Sequence, residues 1–139
     1  MTDRDDIAEL LVRYATGIDS RDWDLFRTCF TSDVRADYTG IGQWDGVEEI
    51  TRFMIEAHTG PSLHRLSNIT ITVTGDAASA RTYVDAVVLG PDGSGVNAIG
   101  FYDDELVRTD DGWRIATRST TSIRITVLGG LEVRERPVS

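Results

Sequence analysis

The sequence predicts an α+β fold: a cone-shaped, curved antiparallel sheet closed by three N-terminal helices. Apolar residues recur at helical spacing as far as Gly60-Pro61 and at a period of two from Leu63 onward, with no return to the helical period. Helices first and a meander afterwards place the helices on one face of the sheet. The turn signals of the second half also lie far apart, so the strands between them are long and must twist and curl.

The elements follow in order. Thr2 and Asp5 have the spacing of a capping box, and Ile7, Leu10, Leu11, Tyr14, Ala15 and Ile18 then form one helical stripe that ends near Asp19. A second, short helix is expected from Asp22, burying Trp23, Phe26 and Phe30 and ending at Thr31-Ser-Asp33. Residues 34–38 read as a short strand with Val34, Ala36 and Tyr38 on one side. The run Gly40-Ile-Gly-Gln-Trp-Asp-Gly46 reads as an irregular loop. Asp45 is expected to cap a third helix whose apolar face carries Val47, Ile50, Phe53, Met54 and Ala57. Strands over 63–73, 77–89, 96–108 and 113–127 come next, separated by turns at Thr74-Gly-Asp76, Gly90–Gly95 and Thr109–Gly112. Residues 132–139 read as a mobile tail.

With 139 residues the chain is one domain of ordinary size, 40% hydrophobic and 27% charged, as expected of a water-soluble globule. No apolar stretch approaches the ~20 residues of a membrane span, and the acidic start Met1-Thr-Asp-Arg-Asp-Asp6 lacks the apolar segment of a secretory leader. A net charge of −9 argues against nucleic acid or an anionic membrane as partner. The single cysteine rules out an internal disulfide and fits a cytoplasmic location.

Two residues carry the chemical argument. Asp19 ends the first helix, and His64 sits in Ser62-Leu-His-Arg-Leu-Ser-Asn68 at the start of the β-rich half. A carboxylate that accepts the Nδ1 proton of an imidazole fixes its tautomer and stabilises the imidazolium, leaving Nε2 as a general base. Were the fold to keep them apart, His64 would be an ordinary hydrogen-bonded histidine and Asp19 a turn residue. Tyr14 and Tyr38 are either core aromatics with one tethered hydroxyl or pocket hydroxyls aimed at a substrate carbonyl. Asp85 shares a strand face with Tyr83 and Val87, and Tyr102 shares one with Asp104; each pair either lines the cavity or faces solvent. Asn68 joins the His64 face if alternation is unbroken. Arg118 either binds an anionic substrate group or pairs with a neighbouring carboxylate, and Phe53 offers an apolar contact. Cys29 reads as a small core residue and His58 as a cation suited to the end of its helix. The two histidines have no metal-ligand spacing, so no metal is expected.

The segments Asp19-Ser-Arg-Asp-Trp-Asp24, Asp33-Val-Arg-Ala-Asp-Tyr38, Leu63-His-Arg-Leu-Ser-Asn68 and Gly112-Trp-Arg-Ile-Ala-Thr-Arg118 resemble scytalone dehydratase and its SnoaL-like relatives in the nuclear-transport-factor-2-like superfamily of cystatin-like cones. The resemblance covers nearly the whole chain. It implies a catalytic dyad at Asp19 and His64, and pocket tyrosines at Tyr14, as in bile-acid dehydratases, and at Tyr38, as in scytalone dehydratase. Arg118 falls where some relatives carry a pocket arginine. The chain departs from scytalone dehydratase in having Ile18 where that enzyme has a tyrosine. It also lacks the second pocket histidine, leaving Asp85 or Tyr83 to fill that wall. The base carboxylate of ketosteroid isomerases falls at Tyr38, and Asp37 would face the other side of the strand. The resemblance therefore implies a cofactor-independent lyase, foremost a dehydratase, acting on a hydrophobic cyclic carbonyl compound. A polyketide cyclase, isomerase or dehydrohalogenase could use the same dyad, and a non-catalytic small-molecule binder is the reading from a different class. By analogy with relatives the chain is expected to form homo-oligomers, trimers ahead of dimers.

Overall fold

The structure, a computed structural model, describes residues 1–130. The tail expected at 132–139 lies outside the described residues. Helix α1 (Asp3–Asp19) opens on the capping box: Asp5 N–H donates to the Thr2 hydroxyl and Thr2 N–H to the Asp5 carboxylate. Its stripe is buried as the spacing predicts, with Ile7, Leu10, Leu11 and Ile18 at 0–1% exposure. Each such side chain contributes about 1.5–3 kcal/mol by leaving water. That burial fixes how α1 lies across the sheet, and so where its last residue, Asp19, comes to rest.

Helix α2 (Trp23–Arg27) is shorter than expected, and Phe30 is not part of it. Phe30 instead opens strand β1 (Phe30–Tyr38), where it pairs with Ile115 from the far end of the chain. Val34, Ala36 and Tyr38 do share the buried face of β1. The expected loop at 40–46 contains a short edge strand, β2 (Gly42–Asp45). Helix α3 (Val47–Ala57) begins without the expected Asp45 cap. Its N-cap is Gly46 at φ +94°, a left-handed conformation that glycine tolerates. Strands β3 (Ser62–Thr74), β4 (Ala77–Leu89), β5 (Gly95–Thr109) and β6 (Gly112–Leu128) form the meander.

The sheet order is β2-β1-β6-β5-β4-β3. The expectation of an all-antiparallel sheet is corrected at one seam, because β1 and β6 run parallel. The meander begins at the opposite edge and returns to β1, so β6 arrives in the same direction as the strand it meets. Register shifts at Ser67/Thr70, Ile99/Gly100 and Glu105/Leu106 mark bulges. Bulges bend long strands, and here they curl the sheet around α1 and α3. No helix among the described residues is long and apolar enough to cross a membrane.

Candidate active site

The dyad is assembled where α1 ends and β3 begins. Asp19 accepts three hydrogen bonds: from the His64 backbone N–H at 2.7 Å, from His64 Nδ1–H at 2.7 Å and from the Ser62 hydroxyl at 2.8 Å. The side chains of His64 and Asp19 are 8% and 17% exposed. Burial alone would push the Asp19 carboxyl up, but the hydrogen bonds from His64 and Ser62 outweigh it and hold the group below the ordinary aspartate value. Asp19 is therefore an acceptor at neutral pH, which places a ring proton on Nδ1 and leaves Nε2 as the ring nitrogen not bonded to the carboxylate.

His64 borders an apolar chamber of about 290 Å³ within the curl of the sheet. Tyr14, Tyr38, Phe53, Met54 and Tyr102 contribute to its helix side and floor, and Val84, Ala86, Val96 and Ala98 to its sheet side. Two larger grooves lie elsewhere, one between α1 and the start of β6 (520 Å³) and one on the outer sheet face (450 Å³). Both are flanked by charged residues such as Glu9 and Asp103, and neither includes a dyad residue.

The chamber floor is a tyrosine cluster set on a buried ion pair. The hydroxyls of Tyr14 and Tyr38 lie 2.6 Å apart. Burial pushes the phenols of Tyr14, Tyr38 and Tyr102 up, so all three stay neutral. Beneath them the Arg118 guanidinium sits 4.1 Å from the ring centres of both Tyr14 and Tyr102. It donates to the two Asp104 carboxylate oxygens at 2.7 and 2.8 Å. Burial opposes its charge, but Asp104 outweighs that and keeps the guanidinium firmly protonated.

Six of the expected site residues, Asp19, His64, Tyr14, Tyr38, Phe53 and Tyr102, therefore form the dyad or line the chamber. Four do not. Asn68 is exposed at φ +49° in the β3 bulge, so the alternation that would have turned it inward breaks at that residue. Asp85 lies on the outer face, where it accepts from Arg65 at 3.1 Å and Asn97 at 2.8 Å. Tyr83, on the same face, is 48% exposed. The inner positions of β4 belong to the smaller Val84 and Ala86, so the wall assigned to Asp85 or Tyr83 is apolar. Arg118 is absent from the chamber lining, lies below the tyrosines and is taken up by Asp104.

Three contributors went unforeseen. His58 is no helix-end cation: it is 9% exposed and lines the chamber with its ring centre 5.7 Å from that of His64. Its Nδ1–H donates to the Met54 carbonyl at 2.8 Å, and burial pushes its pKa down. Ser62 and Arg21 hold the dyad from behind. Ser62 lies two residues before His64 and so on the same strand face, a usable signal. Nothing local marked Arg21 or His58. Among the described residues no His, Cys, Asp and Glu side chains cluster as a metal site.

A curled α+β cone with a carboxylate–imidazole pair at an apolar chamber defines the class. The chain belongs to the SnoaL-like domain family, whose sequence profile matches residues 1–119. A relative in Mycobacterium tuberculosis, an uncharacterized protein, is 36% identical over 126 residues, covering 87% of this chain and 86% of its own. The crystal structure of a candidate aromatic ring hydroxylase from Novosphingobium aromaticivorans is 32% identical and superposes with a TM-score of 0.84, covering 91% of this chain and 93% of that one. Hexachlorocyclohexane dehydrochlorinase LinA-type3 from Novosphingobium barchaimii shares the fold at 18% identity, with a TM-score of 0.81 over 96% of this chain and 94% of that one.

Proposed function

We propose that this protein is a cofactor-independent lyase, foremost a dehydratase, acting on a hydrophobic cyclic carbonyl compound. The observation that carries the reading is the 2.7 Å contact between Asp19 and His64 Nδ1 at the edge of an apolar chamber. A protein that only binds its ligand has no need of an oriented base there.

His64 Nε2 removes the proton from the carbon beside the substrate carbonyl. The electron pair moves to the carbonyl oxygen, where Tyr14 or Tyr38, whichever hydroxyl of the bonded pair keeps its proton free, donates to the developing enolate. As the enolate collapses, the carbon–oxygen bond to the departing hydroxyl breaks. The imidazolium returns its proton to that oxygen, so water leaves and a conjugated carbonyl product remains. Asp19 stays ionised throughout and stabilises the charged ring. The general acid–base steps supply about 10²–10⁴-fold each, and positioning in the apolar chamber supplies more. The chemistry extends to loss of halide, the reaction named for the Novosphingobium barchaimii neighbour, and to cyclisation or isomerisation begun by the same proton abstraction.

The test is a screen of β-hydroxy cyclic ketones for appearance of the conjugated product by ultraviolet absorbance, repeated with His64→Gln. The substitution is expected to lower turnover by about 10²–10⁴-fold while ligand affinity, measured separately by calorimetry, holds. A His64→Gln protein that turns substrate over like the parent would refute the assignment.

A further inference from the structure

Asp19 is held from behind by a chain of contacts that the elimination mechanism does not use. The Ser62 hydroxyl donates to Asp19 Oδ1 at 2.8 Å and accepts from Arg21 Nη1 at 2.9 Å. Arg21 sits at φ +57° just beyond α1, and its Nη1 also donates to the Ile18 carbonyl at 2.6 Å. Its second amino group donates to the Gly60 carbonyl. One guanidinium thus ties the end of α1 to the entry of β3, and the serine carries its polarity to the carboxylate.

We propose that Arg21 and Ser62 are positioning residues that hold the Asp19 carboxylate against His64 and lower the proton affinity of the Asp19–His64 pair. The inference rests on the dyad reading given above and adds a regulator to it. A buried aspartate bonded to an imidazole favours the imidazolium, and an imidazolium cannot accept a proton. A hydroxyl donating to the same carboxylate oxygen draws charge away from the imidazole. A cation one bond further back opposes a second positive charge. Both effects act in the same direction. Among the described residues the other titratable or charged groups facing the pair are His58, from the end of α3, and Tyr14 and Tyr38 across the chamber. The tyrosines are neutral, and His58 is buried and resists protonation, so neither supplies a compensating charge. Arg65, next along β3, is turned outward to Asp85.

The experiment is a nuclear magnetic resonance titration of the two imidazoles in the ligand-free protein, assigned with His58→Asn. Ser62→Ala and Arg21→Gln are each expected to raise the His64 titration midpoint by about 0.5–1 pH unit, a small-to-moderate electrostatic change. Arg21→Lys, which keeps the charge, is expected to leave it near the parent value. In an activity assay the same two variants should regain turnover as the pH is raised, whereas a merely structural loss would persist at every pH. Midpoints that stay put or fall in Ser62→Ala and Arg21→Gln overturn the proposal. Asp19→Asn separates the two layers, because it should lower the midpoint. If it does so while the relay variants change nothing, only the relay fails; if Asp19→Asn is also silent, the dyad fails with it.

Discussion

Replacing Asp104 by Asn isolates the ion pair beneath the chamber floor. Both side chains of the Asp104–Arg118 pair are at 0% exposure, and two charge-assisted hydrogen bonds join them. The amide keeps the shape of the carboxylate and one acceptor oxygen but leaves the guanidinium charge uncompensated in the core. Breaking a buried pair from one side costs about 3–5 kcal/mol, and the retained acceptor puts Asp104→Asn near 3. The rings of Tyr14 and Tyr102 offset none of this, since they contact Arg118 before and after the change. With an unfolding entropy of ~2.1 cal/mol/K per residue over 139 residues, the melting point should fall by about 10 °C. Circular dichroism melts and urea titrations at pH 7 measure both quantities. The double variant Asp104→Leu with Arg118→Met removes both charges and should recover most of the loss, because the penalty lies in the orphaned cation. A single variant that loses less than about 1 kcal/mol would refute the view that the pair is desolvated and mutually dependent.

Two further outcomes are expected. Burial holds the His58 pKa below its usual 6.5, so as the pH falls the unfolded chain takes up this proton before the folded one. The associated stability is full above 6.5 and is lost as the pH drops from there through the depressed folded value; Asp19, held below 3.8, adds a loss of the same sign at lower pH. Urea midpoints between pH 7 and 5 should therefore decline less steeply in His58→Phe, and an unchanged slope would contradict the burial argument. Gly100→Ala should cost about 1–3 kcal/mol by overpacking, since a Cβ there would collide with the Thr121 carbonyl across the β5–β6 bulge. A thermal melt that does not move would show that the two strands can separate at that point.

What the sequence disclosed depended on how local the determining interaction was. The α1 stripe and its capping box are set by residues three and four apart, and both appear as read. The meander also declared itself, because its turns carry their own chemistry. Phe30 looked helical beside Trp23 and Phe26, but its strand is decided by Ile115, whose pairing with it no local pattern displays. Asn68 was misplaced because one bulge residue inverts the face of everything after it: Ile71 points inward where unbroken alternation from His64 would turn it out. On β4 the usable signal was present, since the even-numbered run Ala78, Ala80, Thr82, Val84 and Ala86 is small and carries no charge. At the site, the pairing of Asp19 with a ring 45 positions away followed from likeness to relatives rather than from spacing. Arg21 and His58 owe their places to a helix end and a strand entry that meet only in three dimensions.

The sheet wall of the chamber and the Asp19–His64 pair are supplied by separate lengths of chain. Asp19 and His64 come from α1 and β3, whereas Ala86, Ala98, Gly100 and Thr120 bound the hollow from β4, β5 and β6. A methyl group gained or lost at Ala86, Ala98 or Thr120 changes the shape of the hollow without touching the Asp19–His64 pair. Under the proposed function, descendants of this sequence trade one compound for another by single small replacements along three strands, while the aspartate and histidine stay as they are.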